Sequence, residues 1–319
     1  MISQKSKIFV AGHKGLVGGA ILRALKEKGY CNILTIGKEK LDLTDKNKVY
    51  KYLKKNKPDF IFLAAAKVGG IYSNQSYKAE FIYNNLSIQL NVIDSAHKCG
   101  VQDMIFLGSS CVYPRDCKQP IKEKYLLDGK LEKTNDAYAV AKIAGIKMCQ
   151  SYNQQFNRNY RCIMPTNTFG KNDNYDELNS HFIPALIKKL HTLKELNKNE
   201  LKLWGDGSPK REVIYVKDLA NACIYFMKKK TKEDIINIGT SKDYSIKEYA
   251  KILSKVILPK KIIKFKFDKS KPNGTPRKIL DISLAKKYGW KPKFDLKDAI
   301  FETYNFFLEE NAHHKNKKK

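Results

Sequence analysis

Ile8-Phe9-Val10-Ala11-Gly12-His13-Lys14-Gly15-Leu16-Val17-Gly18 decides the fold of this chain. The four apolar residues that begin it are too few for a helix and read as a buried strand. They run straight into a G-x-x-G-x-x-G turn, after which residues 15–28 continue as a helix closed by Gly29. Glycines permit the tight turn and the close backbone approach, and the helix N-terminal amides then face a pyrophosphate. A glycine triplet alone is a weak signal, but its place between a strand and a helix raises it to a dinucleotide site. The residues expected to form it are Gly12, His13, Lys14, Gly15, Leu16, Val17 and Gly18.

The same alternation continues outward. Residues 33–36, 60–64, 104–107 and 161–164 read as strands, and residues 46–56, 79–98 and 137–156 as helices. Alternating strands and helices imply an α/β fold, a doubly wound parallel sheet covered on both faces, with ligands at the carboxyl ends of the strands. After Pro165 the pattern loosens into a polar loop at 171–179, a helix at 184–196, a strand at 201–204, a further main-sheet strand at 235–238, and a last helix at 296–310. The expected division is a dinucleotide-binding Rossmann domain of residues 1–168 plus about 213–242. A smaller interleaved α/β substrate domain takes about 169–212 plus 243–312, and 313–319 is a basic tail.

Composition limits the function classes. The chain has 319 residues and 42% apolar residues, enough for a sizeable core. No apolar run approaches the ~18 residues of a membrane span, and the polar start lacks a signal-peptide core, so a cytoplasmic location is expected. Seven cysteines without metal-like spacing fit reduced thiols and no metal site. The net charge of +29 suggests a polyanionic partner, but the basic residues are 55 Lys and 6 Arg, scattered along the chain. Readers of nucleic acid favour Arg, whose planar fork matches base edges and phosphates. The excess therefore reads as a solvated surface, with no nucleic-acid partner expected.

The end of the second strand bears on NAD against NADP. An acidic residue there would accept hydrogen bonds from a free ribose 2′-hydroxyl. Here Gly37-Lys38-Glu39-Lys40 offers Lys38 or Lys40 to neutralise a 2′-phosphate, with Glu39 pointing the other way, so NADP is favoured. Asp42 and Leu43 follow, within reach of the adenine edge.

Ser109, Tyr138 and Lys142 form the strongest constellation. Tyr138-x-x-x-Lys142 puts a phenol and an ammonium one helical turn apart on one face. The ammonium favours the phenolate, and Ser109, at a strand end, reaches the same substrate oxygen. Such a set protonates a carbonyl oxygen as hydride reaches its carbon.

On these residues the chain resembles the extended short-chain dehydrogenase/reductase family. More narrowly, it is similar to the GDP-L-fucose synthase group in 64–71, 108–114, 141–147, 164–167, 179–186 and 271–278. That resemblance implies NADPH (NADP) as cofactor and a GDP-linked 4-keto sugar as substrate, with reduction at C4 and 3,5-epimerisation in one site. It implies Cys111 and His181 as the epimerisation acid/base pair, where the residues alone favour a small core cysteine and leave His181 as a helix cap or an ordinary surface histidine. It places cofactor contacts on Leu107, Gly108, Ser110, Lys142, Pro165, Thr166, Asn167, Thr168 and His181, and substrate contacts on Lys189, Trp204, Arg211 and Asp281. It also implies a homodimer built on the helices at 79–98 and 137–156.

Three departures from the group's pattern lie near the sugar end. Lys189 stands where Arg is usual, Thr168-Phe169-Gly170-Lys171 replaces Leu-Tyr-Gly-Pro, and Val213 replaces Phe. They leave open a C4-reductase of a related GDP-4-keto sugar, such as a heptose, with little epimerase activity.

Overall fold

The computed structural model describes residues 2–176, 179–270 and 273–316, with side chains to 312. Lys271 and Pro272 of the family-like segment, and Lys317 to Lys319 of the basic tail, lie outside the described residues. In chain order the first half contains β1 (Ile8–Ala11), α1 (Leu16–Glu27), β2 (Ile33–Leu34), α2 (Lys46–Asn56), β3 (Phe60–Leu63), α3 (Ile71–Ser76), α4 (Lys78–Lys98), β4 (Asp103–Leu107), α5 (Asp136–Phe156) and β5 (Asn159–Pro165). The second half contains β6 (Asn167–Phe169), α6 (Phe182–Glu195), β7 (Glu200–Trp204), β8 (Lys210–Tyr215), α7 (Val216–Lys228), β9 (Ile235–Ile238), β10 (Asp243–Ser245), α8 (Ile246–Ile257), β11 (Lys264–Asp268), β12 (Arg277–Lys278), α9 (Ser283–Lys287) and α10 (Leu296–Asn316).

Among the described residues, six strands form one parallel sheet in the order β2-β1-β3-β4-β5-β9. Ile8 to Ala11 and Phe60 to Leu63 are buried throughout, as continuous apolar runs in a sheet covered on both faces must be. The order reverses between β1 and β3, so the carboxyl ends of these two strands open a crevice where the glycine turn sits. The second strand is shorter than the four residues expected, because Ile33 and Leu34 lie half-buried at the sheet edge and the chain then leaves the ladder.

On one face α4 and α5 pack side by side. The Gln89 side chain of α4 donates to the carbonyl of Ala141 at 2.6 Å. Gly145 lets α5 approach the sheet, since a Cβ there would lie 2.6 Å from Phe106 Cζ. This seat fixes the helix that carries Tyr138 and Lys142.

A second sheet is built on β8, which pairs parallel with β6 and β12 and antiparallel with β10. Glu212 on β8 is fully buried, and its carboxylate accepts from the amides of Thr240 and Ser241, both at 2.6 Å, and of Leu280 at 2.8 Å. One charged group thus ties three segments together beside Arg211. Burial raises its pKa. β7 and β11 form a separate parallel pair. In this half β6, β8, α7, β10, α8, β11, β12 and α9 were not individually legible in the sequence.

Candidate active site

The glycine turn and the carboxyl ends of β1 to β5 line one cleft of about 1110 Å³ that reaches across to α6, β7 and β8. Gly12 has φ +90°, and a Cβ at Gly18 would collide with the Gly12 carbonyl, so the turn closes only with glycine at both places. The resulting cradle leaves backbone amides at the start of α1 facing the cleft, which fits a dinucleotide pyrophosphate. His13 sits in this turn with Nδ1 buried and unpaired, and burial lowers its pKa, so the ring is neutral beside the phosphate position.

At the adenine end Lys38, Glu39, Asp42 and Leu43 line the cleft. Lys14 reaches over from the glycine turn and pairs with Glu39 at 2.9 Å, so the acidic residue at the end of the second strand already has a cation on it. Asp42 accepts from both the amide and the hydroxyl of Thr44, and these bonds hold its pKa down.

Deeper in, Lys142 is buried and donates to the carbonyl of Leu107 at 2.7 Å, with its ammonium 4.7 Å from the Phe106 ring centre and 5.9 Å from that of Tyr138. Desolvation pushes its pKa down to about 8. Burial also pushes the Tyr138 phenol up, Cys111 adds to the rise, and a hydrogen bond with Ser109 opposes it. The phenol is therefore protonated at neutral pH, the state a proton donor needs.

Cys111 follows β4 in a short 3-10 turn, Ser110–Val112, capped by Ser109, whose hydroxyl oxygen accepts the Cys111 amide at 3.2 Å. The thiol is half-exposed and lines the cleft, so it is not a core cysteine. Two donors converge on its sulfur: Asn135 Nδ2 at 3.2 Å and Lys278 Nζ at 3.6 Å. His181 occupies the N-cap position of α6 but makes no capping hydrogen bond, and its ring lines the cleft. The surrounding protein displaces water from the imidazole and lowers its pKa, although the ring stays open to the cleft. The segment holding it docks on the β3–α3 loop through Gly70 N to Asn179 O at 2.8 Å and a Ser73–Asn179 side-chain hydrogen bond.

Residues 8–239 match the model of the NAD dependent epimerase/dehydratase family. The chain belongs to that family. Over 309 residues it is 47% identical to the putative GDP-L-fucose synthase 2 of Arabidopsis thaliana, covering 97% of this chain and 94% of that protein. It is 43% identical to the GDP-L-fucose synthase of Escherichia coli K12 over 314 residues, covering 96% and 97%. Among solved structures, a GDP-mannoheptose C4 reductase from Campylobacter jejuni with NADP bound superposes with a TM-score of 0.88 at 35% identity, covering 97% of this chain and all of the other.

In this epimerase/dehydratase chain the cleft gathers nearly every residue singled out from the sequence. Leu107, Gly108, Ser110, Pro165, Thr166, Asn167 and Thr168 all line it, as do Lys189, Trp204 and Arg211. Trp204 is 46% exposed at the end of β7, which sets aside the alternative of a core tryptophan. Arg211 donates to the Thr275 carbonyl at 2.5 Å, an anchor that aims the guanidinium along the cleft wall. Lys189 donates to the Lys202 carbonyl at 3.3 Å. Asp281 stands apart from these residues. It lies outside the cleft lining, and its carboxylate accepts the Ser283 amide at the start of α9 while its own amide bonds to Ile121. Lys40 is likewise absent from the lining, which leaves Lys38. Asn135 and Lys278 were missed: a polar residue before a helix and a lysine in a lysine-rich chain carry no signal of their own.

Proposed function

We propose that this chain reduces C4 of a GDP-linked 4-keto sugar with NADPH and epimerises C3 and C5 in the same cleft, a reading supported by its likeness to proteins named GDP-L-fucose synthase. One observation carries the reading: Ser109, Tyr138 and Lys142 open onto the same cleft as Cys111 and His181. A reductase alone needs only the first three.

The residues divide the work as follows. Ser109 and Tyr138 hold the C4 carbonyl oxygen and stabilise the enolate that forms when a C3 or C5 proton leaves. Inversion requires removal on one face and return on the other. Cys111, on the turn after β4, and His181, at the start of α6, come from separate elements and serve as that pair. The lowered pKa keeps His181 neutral and basic at physiological pH. Bound NADPH supplies the hydride that reduces C4. Tyr138 gives its proton to the C4 oxygen, and Lys142 supports the charge left on the phenol.

Residues 12–18 and Lys38 hold the dinucleotide, with Leu107, Gly108, Ser110 and 165–168 along its nicotinamide half. Lys189, Trp204 and Arg211 hold the GDP-sugar. This assigns 1–168 with about 213–242 to the cofactor and about 169–212 with 243–312 to the substrate. The test is to follow NADPH oxidation with GDP-4-keto-6-deoxymannose and identify the product by NMR; GDP-L-fucose supports the reading, and an untouched substrate ends it.

A second reading, C4 reduction of a GDP-4-keto-heptose without epimerisation, is favoured by the likeness to the Campylobacter reductase and by Lys189 on the substrate side of the cleft. Exposed Tyr83 on α4 and Val140 on α5, 68% and 44% exposed, support a homodimer through these helices. A cytoplasmic location accords with the absence, among the described residues, of any helix long and apolar enough to cross a membrane.

A further inference from the structure

The His181 side chain makes no capping bond at the start of α6, so the aim of its ring into the cleft is set by how its backbone is held. On the helix side the His181 carbonyl accepts the Ala185 amide at 3.0 Å, and the adjoining Phe182 ring packs on Tyr249 of α8 with centroids 5.2 Å apart. On the other side the hold is Asn179, two residues before the histidine. Its carbonyl accepts the Gly70 amide at 2.8 Å, and its side-chain oxygen accepts the Ser73 hydroxyl. Its Nδ2 and its backbone amide donate to the Asp176 carboxylate at 2.8 and 2.9 Å.

We infer that Ser73 and Asn179 are positioning residues for the epimerisation: they clasp the segment before α6 to the β3–α3 loop and so fix the direction from which His181 reaches the sugar. Neither lines the cleft, whereas Ser180 and His181 beside them do, so the pair acts through the histidine and not on the substrate. The inference rests on the reading of His181 as an epimerisation acid/base group.

The loop side of the clasp is built for close approach. A Cβ on Gly70 would lie 2.7 Å from the Ser180 carbonyl oxygen, and one on Gly69 would lie 2.8 Å from the Cβ of Ser73. Asn74 Nδ2 donates to the carbonyls of Gly69 at 2.8 Å and Gly70 at 3.0 Å, which folds the first turn of α3 back onto the two glycines. Ser73 is thereby presented as a buried residue with its hydroxyl on Asn179. The same loop leaves β3 against the glycine turn, where a Cβ on Gly12 would lie 2.7 Å from the Ala65 nitrogen. One stretch of chain therefore abuts the dinucleotide cradle at its start and holds the histidine's segment at its end. Ser109 and the Tyr138–Lys142 pair stand on other elements, the end of β4 and α5.

Placement matters here because inversion returns a proton on the face opposite to the one it left, so each group must stay within hydrogen-bond reach of the same carbon. A displacement of about 1 Å costs up to about 10²-fold in rate.

The test follows exchange of the C3 and C5 protons of GDP-4-keto-6-deoxymannose with D2O by NMR, using the full-length protein with NADP+ so that no hydride is transferred. Ser73→Ala should lower the exchange kcat by on the order of ten-fold, while the KM for the sugar nucleotide and the NADPH dissociation constant keep their wild-type values. Asn179→Ala should fall at least as far. The double variant should fall no further than Asn179→Ala, because the hydroxyl acts only through that side chain. An unchanged exchange rate in Ser73→Ala overturns the inference, and so does a loss that repeats in full when Ser73→Ala is added to Asn179→Ala. If Asn179→Ala does not fold, Ser73→Ala decides alone. His181→Asn tests the underlying reading separately, since exchange at the wild-type rate in that variant refutes the acid/base role whatever Ser73→Ala shows.

Discussion

Lys142 Nζ donates to the carbonyl of Leu107 at 2.7 Å, so the helix bearing the tyrosine is pinned to the end of β4 by a buried ammonium. Removing that ammonium from water brings its pKa down to about 8 in the folded protein, against about 10.4 in an unfolded chain. Between those values the unfolded state binds more protons, so stability rises with pH across that window; below it the lysine is charged in both states and its burial cost is constant. Lys142→Met lacks this dependence. The melting temperature of the wild type relative to the variant should therefore climb from pH 7.5 to pH 10, measured without ligands. Parallel curves would contradict a buried, depressed lysine.

Tyr138→Phe removes the proton donor and keeps the ring. Loss of a positioned general acid costs about 10²- to 10⁴-fold in rate. NADPH oxidation should fall by that amount while NADPH still binds, measured by fluorescence titration. Retention of even a third of the rate would move the donor role elsewhere.

The Lys14–Glu39 pair at the adenine end makes a different prediction. A 2′-phosphate brought there meets Lys38 but also the Glu39 carboxylate, which holds Lys14. Glu39→Gln removes the repulsion and frees the lysine, so NADPH should bind several-fold tighter and NADH little differently. Lys38→Ala should act in the opposite sense, and both effects should shrink with added salt because the groups are exposed. Equal changes for NADPH and NADH would separate these residues from the 2′-phosphate.

The main sheet was legible because its strands are buried on both faces and therefore appear as uninterrupted apolar runs, as at residues 60–63. Helices α2, α4 and α5 were legible through their periodicity. α3 was not, since Ser73 and Asn74 are buried polar residues whose bonds, such as Asn74 Nδ2 to the Gly69 carbonyl at 2.8 Å, are tertiary or local loop contacts with no sequence period. The strands around β8 are short and gain their pairing from distant segments, which a single sequence cannot reveal. The same holds in the site. Tyr138 and Lys142 are four residues apart and announce each other, while Cys111 and Lys278 are 167 residues apart and meet only in the fold.

His181 supplies a pH signature. Displacement of water lowers its imidazole pKa, so the neutral base persists below the usual 6.5. Deuterium incorporation at C3 and C5 should stay level as pH falls through 7 and decline only below that value, and His181→Asn should abolish the incorporation. A decline that already begins above pH 7 would assign the controlling proton to another group.

Incubation with GDP-4-keto-6-deoxymannose and NADPH in D2O, followed by NMR of the product, tests the two-activity cleft most directly. The expected product is GDP-L-fucose carrying deuterium at both C3 and C5, formed with stoichiometric NADPH oxidation. A reduced product without label at either carbon would contradict the joint action of Cys111 and His181 and leave a C4-reductase alone.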